Sequence, residues 1–180
     1  PSASLPVSEI ASRWQFDQLL EFLTDNPDGI TGSVERGAVV FEQAQCIKCH
    51  RYGNIGEGIG PDLTTLRRRF RRKEILESIF YPSHVISDQY QSQTLITRDG
   101  KVITGLVAPQ GTDAIVVLDV EGKKTVLAKE EIEQQSPSRL SAMPEGLLNP
   151  LSMQQIADLF AQFDAIPVVG SLADDDAETP

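Results

Sequence analysis

The chain is poor in the side chains that hold soft metals: two cysteines, two methionines and two histidines in 180 residues. Long apolar runs are missing too. No stretch approaches the roughly 20 residues a helix needs to cross a bilayer, which excludes a spanning helix. Net positive charge is absent: 16 basic residues face 26 acidic ones, and the formal charge of −10 argues against general nucleic-acid binding, which needs a basic face. The first residues, PSASLPVSEI, have neither the basic start nor the apolar stretch of an export signal. The expectation is therefore a cytoplasmic chain or a processed piece of an exported one. There is no internal repeat and no low-complexity tract. The remaining composition, 40% hydrophobic and 23% charged, suits one well-packed domain or a small domain with an elaboration.

The scarce residues are not scattered. Both cysteines and one histidine fall within QCIKCH, residues 45–50, where Cys46, Cys49 and His50 form C-x-x-C-H. That spacing is the attachment signature of haem c. Two thiols three residues apart on a short helical turn can each add across one of the two haem vinyl groups. The imidazole that follows then projects toward the iron as proximal ligand. Other chemistries use parts of the pattern. A structural disulfide across C-x-x-C does not require His50. A thioredoxin-like pair needs a βαβ context, whereas the flanks here read as helical and glycine-rich. A zinc site needs about four ligands, and only His84 remains as a nitrogen or sulfur partner of the usual kind.

The flanks favour the haem reading. SVERGAVVFEQ predicts a short helix over 34–43, capped by Ser33, with Val34, Ala38 and Phe41 on one face and Glu35 and Glu42 in water. Gly37 inside it is unfavourable by up to about 1 kcal/mol relative to alanine, which a close helix crossing would explain. Downstream, GNIGEGIGPDLT carries four glycines and a proline, suiting a loop that wraps a flat macrocycle. The carbonyl of Pro61, or of a neighbour, is placed to accept the Nδ1–H of His50 and orient its ring. For a second axial ligand there are three candidates. Met143 lies in SAMPEG, a loop that Pro144 and Gly146 keep out of any helix. Met153 opens an amphipathic helix over 152–164, where a methionine is more often core filler. His84 follows a helix and offers a bis-histidine arrangement. An open or water-bound position is the fourth possibility.

Elsewhere, Asp62 is expected to cap one helix carrying Leu66, Phe70, Ile75, Leu76, Ile79 and Phe80, ended by Pro82. Six of the sixteen basic residues cluster in RRRFRRK (67–73), to neutralise haem propionates, to dock an acidic partner, or as a solvated face. Residues 88–134 change period. Two strand-like pairs, turning at Asp99-Gly100 and Glu121-Gly122, predict a small antiparallel sheet of about four strands. It could shield a haem edge, form a partner surface or make a homodimer, and its exposed strand edges suit the last. An N-terminal helix over SEIASRWQFDQLLEFLT and a linker of turn residues precede the motif, and an acidic tail closes the chain.

Taken together, RGAVVFEQAQCIKCH, GIGPDLT, SAMPEGLL and ADLFAQF, in that order, resemble a class I cytochrome c. More narrowly, they resemble the haem-binding cytochrome c domain of exported planctomycete and verrucomicrobial proteins, over about residues 34–166. In that family GPDLT precedes a helix ending in YPS, a β-rich insert and a Ser-x-Met-Pro motif, here Gly60–Thr64, Tyr81–Ser83 and Ser141–Pro144. The resemblance implies a mainly α class I cytochrome c fold with an inserted antiparallel sheet, α+β overall, in five parts. These are an N-terminal helix and linker (1–33), a proximal half (34–87), the insert (88–134), a methionine loop with C-terminal helix (135–166) and the tail (167–180). It implies one haem c on Cys46 and Cys49, with His50 and Met143 as iron ligands. The expected role is one-electron transfer with redox partner proteins outside the cytoplasm, not catalysis, in some relatives as the accepting domain of a longer dehydrogenase-like chain. The alternative is a haem enzyme or a gas or redox sensor whose sixth position is open or displaceable.

Overall fold

Three of the six helices among the described residues begin where a side chain caps the first turn. The computed structural model describes residues 13–165. Helix α1 (Phe16–Asp25) is followed by the one-turn α2 (Pro27–Ile30), capped by the Asn26 side chain, which accepts from the Asp28 amide. Ser33 caps α3 (Val34–Gln43). A short hairpin, β1 (Arg51–Tyr52) and β2 (Ile55–Gly56), leads to α4 (Leu66–Arg69) and α5 (Arg72–Phe80). Five strands follow: β3 (Gln93–Thr97), β4 (Val102–Gln110), β5 (Ala114–Leu118), β6 (Lys124–Ala128) and β7 (Ile132–Pro137). The last helix, α6 (Met153–Asp164), opens on a reciprocal capping box in which Ser152 and Gln155 each bond the other's amide. The described residues are thus α+β: six helices, a five-stranded antiparallel sheet and a two-stranded one.

The helical core forms where α3 crosses α6, and Gly37 makes that approach possible. A Cβ at this position would stand 2.0 Å from the Asp158 carbonyl oxygen, so any side chain would drive the helices apart. Phe41 meets Phe163 edge to face with centroids 6.2 Å apart, and Leu159 is buried beside them. The crossing therefore involves Gly37, as its place inside a helix led one to expect, with Phe41, Leu159 and Phe163. Burying a side chain the size of Phe41 or Phe160 contributes about 2 kcal/mol of transfer free energy. Two polar pins lock the arrangement. Asp158, 2% exposed, accepts from the Ser33 amide, from Gln154 and bidentately from Arg36. Burial alone would raise its carboxyl, but these donors together hold it below the usual carboxylate range. Arg72 bonds Asp164 and the carbonyls of Leu23, Gly29 and Ile30, tying the ends of α1, α2 and α6 together.

In the sheet the order is β6-β5-β4-β3-β7: three successive hairpins, with β7 returning beside β3. Leu95, Ile115, Val117 and Leu127 form a core of their own. Leu106 and Leu118, paired across the register, pack instead with Ala142, Cys49, Ile59 and Tyr90. The sheet thereby lies against the C-x-x-C-H turn.

Several expectations are corrected. The buried face of α3 runs through Gly37, Val40, Phe41 and the following Ala44, not Val34, which is 39% exposed, because the crossing centres on Gly37. The single helix after Asp62 is two, broken at an extended Phe70, and α5 restarts where Glu74 accepts from the Arg71 amide. Asp62 caps neither; it accepts from Thr64 and Arg51. The insert has five strands and runs to Pro137. The turn residues before Ser33 include the helical turn α2. The start of the N-terminal helix reading, residues 8–12, and the acidic tail lie outside the described residues.

Candidate functional site

The chain leaves α3 through a left-handed residue, Gln45, with φ of 62°. It then makes a 3-10 turn, Cys46–Lys48, in which the amides of Cys49 and His50 both donate to the Cys46 carbonyl. This tight turn presents the two thiols and the imidazole in sequence. The loop after it folds back along the turn through three backbone bonds: Glu57 N to Ile47 O, Gly60 N to Cys49 O and Leu63 N to Arg51 O, all 2.8–3.0 Å. Gly56 permits the fold-back. Its φ is +88°, and a Cβ there would sit 2.1 Å from the His50 carbonyl oxygen.

Both sulfurs are unbonded and partly buried, and they belong to different cores. Cys46 packs on the helical cluster, Cys49 on the one containing Leu106, Leu118 and Ala142. Burial pushes the Cys46 thiol up to about 12 and raises Cys49 as well. A thioredoxin-type pair needs a lowered thiol pKa, so this environment speaks against that chemistry. The imidazole is better defined. His50 Nδ1 is 2.8 Å from the Pro61 carbonyl oxygen, which can only accept, so Nδ1 carries the proton. Burial lowers the His50 pKa against that bond, favouring the neutral ring. Nε2 is then a lone pair. It has no partner among the described residues, and it is not among their sealed, unpartnered side-chain atoms. This is the donor set of a proximal haem ligand beside two thiols available for thioether bonds, and the residues fit that group.

Met143 is partly buried and packs on the helical cluster. Its loop is held on the N-terminal side: the Met143 amide donates to Ser141 Oγ, and the Ser141 amide to Ser83 Oγ in the loop after α5. Its neighbour Ala142 touches the Cys49 cluster, so chain distant in sequence returns to the C-x-x-C-H turn. Met153, the first residue of α6, also packs on the helical core, in keeping with a filler role. His84 does not join the thiols. Its side chain is 68% exposed, 3.7 Å from the Glu77 carboxylate, at an open depression of about 380 Å³ lined with Tyr81, Ser83 and Glu145. Among the described residues no group of three or more His, Cys, Asp or Glu could hold a metal ion, which leaves the zinc reading without ligands.

Contacts that no local pattern announces complete the surroundings. The β5–β6 turn reaches the C-x-x-C-H turn: a Cβ on Gly122 would stand 2.8 Å from Lys48 Cδ, and Lys124 Nζ pairs with Glu57 at 2.8 Å. Tyr52 sets its hydroxyl 2.6 Å and 2.7 Å from the carbonyls of Gln162 and Ala165, fastening the segment after His50 to the end of α6. The residues involved are more than 60 positions apart in sequence, and nothing local to either marks them. No protein-family model matches the chain, and no curated protein aligns with it significantly.

Proposed function

We propose that the chain is a mono-haem c-type cytochrome, or a cytochrome domain, of the class I kind, moving single electrons between protein partners outside the cytoplasm. One observation carries the reading. In a C-x-x-C-H turn with two unbonded thiols, the Pro61 carbonyl holds His50 Nδ1 at 2.8 Å and so leaves Nε2 free as a ligand. Cys46 and Cys49 would bond the macrocycle; His50 and Met143 would bind its iron. A haem so bound supplies a one-electron ferric/ferrous couple, with a thioether ligand favouring the ferrous state. The protein's part is orientation and exclusion. Pro61 fixes the imidazole's tautomer and plane, which raises ligand basicity. Buried Phe41, Phe160 and Leu159 keep water from the helical side, and Leu106 and Leu118 from the sheet side. With Met143 as well as His50 binding the iron, no open ligand position would remain for a substrate, which favours a carrier over an enzyme.

Expression with a cytochrome-maturation system tests this directly. The wild type should keep haem through a denaturing gel, and Cys46→Ser with Cys49→Ser should lose it. Oxidised wild type should show the weak far-red band of methionine sulfur on ferric haem. Met143→Ala should abolish that band and Met153→Ala retain it. Haem bands without the far-red feature would favour the enzyme or sensor alternative. Colourless protein would end the haem reading.

A further inference from the structure

We propose that the exposed cations of residues 68–73 form a docking surface for an acidic face on a redox partner protein; this rests on the electron-carrier reading above. The cluster RRRFRRK holds six positive charges, and the fold divides them. Arg72, 12% exposed at its side chain, is consumed by Asp164 and three carbonyls. Arg67 lies 2.9 Å from Asp164 Oδ1, out of line for a hydrogen bond but close enough for an ion pair. Arg68, Arg69, Arg71 and Lys73 are exposed, and none has an ion-pair partner among the described residues.

Among the described residues no carboxylate pairs with these four side-chain charges, and the Glu74 carboxylate beside them is turned to the Arg71 amide, so the four cations repel one another. In their midst Phe70 is 44% exposed, with the Arg69 guanidinium 5.6 Å from its ring centre. An aromatic residue ringed by arginines has the composition of an interface centre; a merely solvated face has no use for it. The sign of the patch selects an acidic partner. The acidic remainder of the molecule disfavours nucleic acid. Position ties the patch to the site: Arg69 Nη2 is 3.4 Å from the carbonyl of Asp62, the residue after Pro61. A partner seated there would lie beside the loop that holds His50.

The test uses the reduced holoprotein and poly-L-glutamate as probe at low salt. Amide shifts on titration should map to residues 65–73 and vanish with added salt, as charges further apart than about 10 Å are screened at 0.1 M. The triple variant R68E/R71E/K73E should bind at least tenfold more weakly with an unchanged visible spectrum. Bound polymer should slow oxidation by hexacyanoferrate(III) in the wild type and not in the variant. Shifts elsewhere, undiminished binding by the variant, or binding without slowed oxidation would each overturn the proposal. So would binding to phosphatidylglycerol vesicles in place of the polymer, which would assign a membrane surface. Binding only after removal of residues 173–180 would make the chain's own acidic stretch the occupant and overturn it equally. Absence of haem would instead sink the carrier reading, while the polymer titration still reports on the patch.

Discussion

The helical half and the sheet are held together in opposite ways. The sheet is built from neighbours in sequence, each strand of β3 to β6 pairing with the next through a hairpin, and only β7 returns from a distance. The helical half is assembled from remote pieces. Arg36 and Ser33 meet Asp158, Tyr52 meets Gln162, and Trp14 donates to the Leu148 carbonyl, each across more than 100 residues. Damage to the sheet should therefore stay local, whereas damage to one helical contact should loosen everything packed on α6.

The sharpest way to break the helical half is Gly37→Ala. Its methyl would overlap the α6 backbone, and denaturant unfolding should show a loss of about 3 kcal/mol. Leu127→Ala probes the other half. It should cost about 2.5 kcal/mol, with hydrogen exchange rising across residues 93–137 while α3 and α6 keep their protection. Arg72→Met should remove about 2 kcal/mol by stranding three carbonyls and leaving Asp164 with Arg67 as its ion-pair partner, and here the lost protection should spread through α1, α2 and α6. Acid sharpens the comparison further. Asp158 and Asp62 both have lowered carboxyl pKa values in the folded chain, Asp62 to about 2 through its bonds from Thr64 and then Arg51. The stability they contribute is present above the ordinary carboxylate range and lost as pH falls through the folded values. Acid unfolding should thus loosen the α3–α6 crossing that Asp158 pins, and Asp158→Asn should flatten that part of the pH profile. The smallest effect belongs to Lys124→Glu. This exposed pair with Glu57 should be worth only about 0.5 kcal/mol, measured by thermal unfolding at low salt.

Local rules carried the sequence reading a long way. Ser33 and the apolar period of 152–164 announced two helices, and the glycines at 100 and 122 sit at positive φ in the turns where strands were expected to reverse. The crossing at Gly37 was legible because an internal glycine in a helix needs a reason. At the candidate site, the C-x-x-C-H spacing and the Pro61 carbonyl were both readable. What escaped was non-local or polar. Strand β7, IEQQSP, has almost no apolar residue to betray it, since its side chains lie largely exposed at a sheet edge. The break at Phe70 follows from the ring turning outward, and Arg72 looked like one more surface cation until three distant carbonyls converged on it. The reach of the Gly122 turn to Lys48 depends on how the whole sheet sits.

The placement of the sheet along the chain has a consequence in time. Residues 93–137 stand in sequence between α3 and the α6 it must meet, so as the chain emerges from its N-terminus the sheet can pair before the helical core can close. Until α6 arrives, Gly37 and the edge of Phe41 that meets Phe163 have no partner, and the turn carrying Cys46, Cys49 and His50 is open on its helical side. Order of synthesis thus leaves the C-x-x-C-H turn open on one side for an interval that the finished fold ends.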